Sequence, residues 1–263
     1  MGVRDSGGAL RSGTRGRLPV IAIDGPAGAG KSTLARRVAQ SAQLVYVDSG
    51  AMYRAVACAV LDAGFNLEGE VDAGFVAQLA QTVDVRLVED AGGQRVWLGG
   101  VDVTARIRDA AVERLVPRVA RLAAVRQALI PQQRLLAAAG GVVMDGRDIG
   151  TTVLPDADYK FFVTAAFPVR VERRHRQLRR KGEDVSRLAV ARDLHHRDIM
   201  DTTRSIGRLV AAPDAIRLDT THMPIEEAVA LVLARCDLPD LREAGLARRA
   251  GEPSAGGSRA GKP

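Results

Sequence analysis

Nine consecutive residues, Gly25-Pro26-Ala27-Gly28-Ala29-Gly30-Lys31-Ser32-Thr33, have the types and spacing to hold a phosphate chain. From Gly25 to Ser32 they fit G-x-x-x-x-G-K-[ST], the P-loop pattern. The composition follows from the task. Successive backbone N–H groups must converge on phosphate oxygens, and a Cβ at the tight positions would block that approach. A helix starting near Lys31 aims its free N–H groups and positive dipole end at the same anion. Lys31 reaches the β- and γ-phosphates, and the Ser32 hydroxyl is placed to hold Mg²⁺. Of 38 Lys and Arg residues, only Lys31, Lys160, Lys181 and Lys262 are lysine, so the lysine here stands against the chain's own preference for arginine.

The surrounding chain must supply a strand before this loop and a helix after it, and it does. Val20-Ile21-Ala22-Ile23 reads as a buried strand, and Leu34, Val38 and Ala39 give the following segment one apolar face. Leu44 to Asp48 is a second apolar strand, broken by Ser49-Gly50, with helical spacing from Ala51 to Leu61. This alternation predicts a parallel α/β sheet that binds ligands beyond the carboxyl ends of its strands. Ser49, Tyr53 and Arg54 fall at that edge. Val142-Val143-Met144-Asp145 is a further strand, followed at once by Gly146-Arg147-Asp148. An acidic residue closing such a strand is placed to hold Mg²⁺ or its waters.

Between about 64 and 109 the texture changes: a helical run, Val71 to Thr82, leads into β-branched, alternating segments separated by Asp90-Ala91-Gly92-Gly93 and Gly99-Gly100. That is an inserted antiparallel meander. Residues 110–139 read as helical, with Pro117 and Pro131 as breaks. Tyr159 to Val163 is the fourth strand and Ala215 to Asp219 the last. Between them, about 169–200 form a charged helical hairpin with almost no apolar face. It cannot join the core and is expected to act as a lid that brings arginines over phosphates. Arg197, Asp201 and Arg204 stand at i, i+4 and i+7, on one helical face.

Composition bounds the partners. The net charge is +7, but residues 1–17 hold +3 of it and 240–263 hold +2, leaving +2 for the body. These Gly-, Ser- and Arg-rich ends are expected to be disordered and solubilising, so no specific nucleic-acid partner is expected. No apolar run is long enough for a bilayer, and no secretory signal is evident. Cys58 and Cys236 sit in apolar helical patterns as buried thiols, which suits a reducing compartment. The expectation is a cytoplasmic monomer with no membrane partner.

The assembled motifs resemble those of the bacterial cytidylate kinases, within the nucleoside monophosphate kinases. The resemblance rests on the nine-residue loop, on Asp48-Ser49-Gly50-Ala51-Met52-Tyr53-Arg54, on Asp145-Gly146-Arg147-Asp148-Ile149-Gly150-Thr151, and on Arg197-Asp198 through Asp201 to Arg204; it covers roughly 18 to 236. It implies a P-loop NTPase fold and transfer of the γ-phosphoryl group of ATP to CMP or dCMP, with Mg²⁺. Carried over, Ser49, Arg54, Arg147 and Arg204 would hold the acceptor phosphate. Arg126 and Asp148 would read the cytosine edge, and Arg197 and Asp201 would bind the ribose. Two positions depart from that pattern. Pro117 stands where a base-contacting serine is frequent, and Arg208 where a proline is frequent. A P-loop kinase for another small acceptor, or a P-loop nucleotide-binding regulator, are the alternatives.

Overall fold

A computed structural model describes residues 17–65, 72–90 and 93–241. The expectation for residues 1–16 and 242–263, the bulk of both basic ends, lies outside the described residues, as do Val71 and the middle of the first meander turn.

Five parallel strands form the main sheet in the order β2-β6-β1-β7-β8, where β1 is Val20–Asp24, β2 Val45–Asp48, β6 Val142–Gly146, β7 Tyr159–Thr164 and β8 Ile216–Asp219. β1 is central and wholly buried, which is why it reads as an unbroken apolar run. The pleat still divides it. Ile21 and Ile23 pack with helices α1 (Lys31–Ala42) and α8 (Ile225–Arg235), whereas Val20 and Ala22 face Ala137, Met144 and Val153 on the other side. Register then aligns the strand ends. Asp145 sits opposite Ile23 on one side and Asp48 on the other, and Asp24 sits opposite Gly146. Three carboxylates thus gather at one edge of the sheet.

A second core lies beside the first. It is built on α2 (Ser49–Asp62), which Asp48 caps by accepting from the Ala51 N–H at 3.0 Å. The chain therefore does not pause at Ser49-Gly50 as the sequence suggested, because the strand's last residue is the helix cap. Around α2 pack α3 (Ala73–Thr82), α4 (Ala110–Ala120), α5 (Ala123–Ala137) and the three-stranded antiparallel sheet β3 (Val85–Asp90), β4 (Gly93–Leu98) and β5 (Val101–Asp102). This sheet is clamped to the main one by Gln94. Its carboxamide donates to the Tyr46 carbonyl at 2.7 Å and accepts from the Asp48 N–H at 3.1 Å, pairing the free edge of β2 as a neighbouring strand would.

Two expectations about helices are corrected. Pro117 and Pro131 lie inside α4 and α5, and the break falls at Arg121-Leu122. A helical proline forfeits the bond to the carbonyl four residues earlier. For Pro117 that carbonyl belongs to Glu113, and it accepts instead from Arg197 Nη2 at 3.4 Å. The hairpin is α6 (Phe167–Arg180) and α7 (Arg187–Thr203), and it does have an apolar seam: Leu178, Val190 and Leu194 pack with Ala27 of the phosphate loop, flanked by Phe167, Val171 and Val185. The seam draws on few residues from each of two helices and one from a distant loop, so neither helix shows it as a periodic stripe.

Candidate functional site

The carboxyl ends of β1, β2 and β6 open into a cleft of about 590 Å³, walled by α4 and α5 on one side and the α6–α7 hairpin on the other. Lys31 is the first residue of α1, 5% exposed, and its ammonium donates to the Pro26 carbonyl at 2.8 Å. Burial, with Arg147 nearby, pushes its pKa down to about 7. Of the loop, Ala27 to Thr33 line the cleft; Gly25 and Pro26 do not, and Pro26 serves as the lysine's tether. The loop carbonyls are latched from the hairpin. Arg170 Nη1 donates to Ala27 O at 3.0 Å while its fork holds Asp198, and Arg173 reaches Ala29 O at 3.4 Å and the Thr220 hydroxyl at 3.0 Å. These bonds tie the loop to the hairpin through its carbonyls.

Asp145 is the hub between the loop and β2. Its Oδ2 accepts from the Ser32 hydroxyl at 2.7 Å and its Oδ1 from Tyr46 Oη at 2.9 Å, while its carbonyl accepts from the Ser49 hydroxyl at 2.6 Å. Burial raises its pKa, and Asp48 raises it further. Burial acts the same way on Asp48, but there Arg54 at 2.6 Å and Arg108 at 3.2 Å outweigh it and hold the carboxyl below its usual range. The register of β2 on β6 brings the two carboxylates together.

Deeper in, Arg126 is 1% exposed, donates to Asp148 through Nη2, and lies over the Tyr53 ring with Cζ 5.6 Å from its centroid. Burial pushes the Asp148 carboxyl up against the opposite pull of Arg126 and Arg204. Arg147 donates to Asp201 at 2.7 Å, and Arg204 lies 3.8 Å from Asp201 and 4.0 Å from Asp148. Arg197 faces the Glu113 carboxylate at 3.3 Å, which Arg174 also meets at 2.8 Å.

The sequence-predicted residues are brought together: Lys31, Ser32, Ser49, Tyr53, Arg54, Arg126, Asp145, Arg147, Asp148, Arg197, Asp201 and Arg204 all line this one cleft. Arg204 differs from expectation in that it caps α7 rather than continuing it. The departure Arg208 closes the same helix end, donating from Nε to the Thr202 carbonyl at 3.0 Å. Sequence reasoning missed Glu113, Arg108, Tyr46 and Gly207. Gly207, at φ 66°, lies against the Arg126–Asp148 pair, where a Cβ would collide with both side chains. Nothing in its neighbours marks it, because the pair it touches lies 59 and 81 residues earlier in the chain.

Five guanidinium donors on residues of this cleft, Nε of Arg54, of Arg126 and of Arg197, and Nε and Nη2 of Arg204, are buried without a hydrogen-bond acceptor among the described residues, Arg197 Nε having only an ion-pair contact with Asp193 at 3.1 Å. Buried donors of this kind are expensive unless a ligand answers them. The cleft is therefore built for a polyanion. The Ser32–Asp145 pair offers two hard oxygens, one a carboxylate, which fits Mg²⁺, an ion that keeps waters and takes its remaining ligands from phosphates.

A family model described as cytidylate kinase matches residues 21–237. The cytidylate kinase of Pelotomaculum thermopropionicum is 47% identical over 219 residues, covering 83% of this chain and 96% of that protein. That of Bacillus pumilus is 44% identical, covering 82% and 95%. A bifunctional pantoate ligase/cytidylate kinase of a Synechococcus strain is 46% identical, over 80% of this chain and 39% of that longer protein. Among solved structures, a gluconokinase from Sinorhizobium meliloti aligns over 90% of this chain and 99% of its own at 14% identity, with a TM-score of 0.43.

Proposed function

The chain belongs to the cytidylate kinase family, and from that premise we propose that it transfers the γ-phosphoryl group of ATP to CMP or dCMP, giving CDP or dCDP. The observation that carries this reading is the set of unanswered arginine donors on residues that line the same cleft as Lys31. The loop amides and Lys31 hold the donor's β- and γ-phosphates. Mg²⁺, held through Ser32 and Asp145, supplies charge neutralisation on the phosphates when bound. Ser49, Arg54, Arg147 and Arg204 hold the acceptor phosphate, Arg197 and Asp201 the ribose.

The acceptor is already an anionic phosphate oxygen, so no general base is required. The chain's work is in-line positioning and stabilisation of spreading negative charge. Arg147 and Arg204 approach from the acceptor side and Lys31 from the donor side. The Arg126–Asp148 pair reads the base. A carboxylate accepts from the exocyclic amine of cytosine and a guanidinium donates to its O2 and N3, an arrangement that uracil, with a carbonyl in place of the amine, does not complement. Pro117 lines the same pocket and offers no hydroxyl. Base selection therefore falls on the charged pair.

The test is ADP release with ATP and Mg²⁺ across AMP, GMP, UMP, CMP and dCMP. Fastest turnover with CMP or dCMP is expected. Equal or faster turnover with AMP or GMP overturns the acceptor assignment, and no turnover with any of them favours a nucleotide-binding regulator.

A further inference from the structure

Asp24 ends β1 one residue before the phosphate loop and is 4% exposed. Both its oxygens are taken by backbone: Oδ1 accepts from the Ile149 N–H at 2.8 Å and Oδ2 from the Gly150 N–H at 2.7 Å. These amides open the π-helical turn Ile149–Val153, and the two residues just before them are Arg147 and Asp148. The other end of this stretch, five residues from Gly146 to Gly150, is pinned by packing. At Gly146 a Cβ would stand 2.6 Å from Ser49 Oγ and 2.7 Å from Ile149 Cδ1, closer than any side chain tolerates. The stretch that carries Arg147 and Asp148 is therefore clamped at both ends, and one end is a single carboxylate.

A carboxylate suits this place because two adjacent, parallel N–H donors need two acceptors. An asparagine offers one oxygen and turns an amide NH₂ against the second N–H. Asp24 also favours the charged forms of Lys31 and Arg147. Its burial is not free. The carboxyl rises to about 6 despite the two amide bonds, so the ionised group lowers stability as pH climbs from 3.8 to that value. A carboxylate kept buried at that cost of ionisation, touching no ligand in the scheme above, holds the two amides that follow Arg147 and Asp148.

We propose that Asp24 is a positioning residue for the acceptor half of the site, fixing Arg147 and Asp148 opposite Lys31 through the backbone of Ile149 and Gly150. The role rests on the phosphoryl-transfer reading. Its test is Asp24→Asn together with Asp24→Ser, which is shorter and offers one oxygen in place of two. In both, KM for CMP should rise by about tenfold or more, the loss of one charge-assisted bond and the slackening of its loop. KM for ATP should rise less, since Asp24 reaches the donor side only through the charge of Lys31, and both variants should stay folded. Amide exchange at Ile149 and Gly150 should quicken in the nucleotide-free protein. Equal increases in both KM values, unchanged exchange at these amides, or loss of fold in both variants would overturn the proposal, since each makes Asp24 a support for the sheet or the phosphate loop alone. If the wild-type protein phosphorylates no monophosphate, the functional reading fails, and the exchange experiment still decides whether Asp24 holds the turn.

Discussion

Lys31 enters α1 at its first position with its ammonium tied to Pro26 and its pKa pushed down to about 7 by burial. A base whose folded value lies below its unfolded value destabilises the fold fully below the lower value, and relieves it as pH rises toward the higher one. The window here runs from about 7 to 10.5. The wild-type melting temperature should therefore gain on that of Lys31→Met between pH 7 and pH 9, in nucleotide-free protein. A constant difference across that range would contradict the burial argument. Turnover in Lys31→Met should fall by about 10²-fold or more, the usual loss when a preorganised charge is removed from a transferring phosphoryl group. Arg126 and Asp148 present the other buried charge problem. Removing one partner strands the other, at a cost of about 3–5 kcal/mol. Arg126→Met should show that loss in urea unfolding. Adding Asp148→Leu should return part of the stability while leaving CMP phosphorylation absent. If the double variant is less stable than the single one, the pair is not the unit described.

The hairpin of α6 and α7 is where element-level reasoning from sequence ran short. Its charge density suggests a solvated lid, yet Leu194 is 1% exposed in a seam that includes Ala27 of the phosphate loop. Polar latches add to the seam: Arg170 and Arg173 on the loop carbonyls, and the Glu113 carboxylate between Arg174 and Arg197. Leu194→Ala should cost about 2–5 kcal/mol locally, as for other large-to-small changes in packed sites. Hydrogen exchange should locate the effect, with faster exchange in α6 and α7 and none in β1, β6 or α8. Uniform acceleration through the main sheet would mean that the hairpin is not a separate packing unit. The helices α4 and α5 make a related point. Their prolines read as breaks, but Glu113, freed from Pro117, finds Arg197 on another element, so the break cost is met across space.

At the scale of the molecule, two cores meet along α2 and the edge of β2, and the cleft lies where both face the hairpin. Of the formal charge of +7, the terminal stretches 1–16 and 242–263 carry +2 and +3. Deleting 1–16 and 242–263 should leave kcat/KM for CMP and ATP unchanged at fixed salt, measured by ADP release. Loss of activity on trimming would tie the basic ends to the reaction and count against a self-contained cleft.

What the sequence determined by itself is local and contiguous. A strand, a glycine loop and a helix with Lys31 at its start follow from backbone sterics and from the period of apolar residues, both properties of neighbours along the chain. The same holds for Asp145 at a strand end and for the hairpin chemistry of β3 and β4. Position after a strand end or on one helical face picked out Arg54, Arg147 and Arg204; the resemblance to a family then gave them roles and named Arg126, which spacing alone left among many arginines. Only the tertiary structure decided which of them lack an acceptor, that Arg126 lies buried over the Tyr53 ring, that Glu113 gathers two hairpin arginines, and that Asp24 holds the turn after Asp148. Each of these depends on strand register or on a contact between distant segments. Burial and charge pairing are properties of the surroundings, and no residue carries its surroundings in its own sequence position.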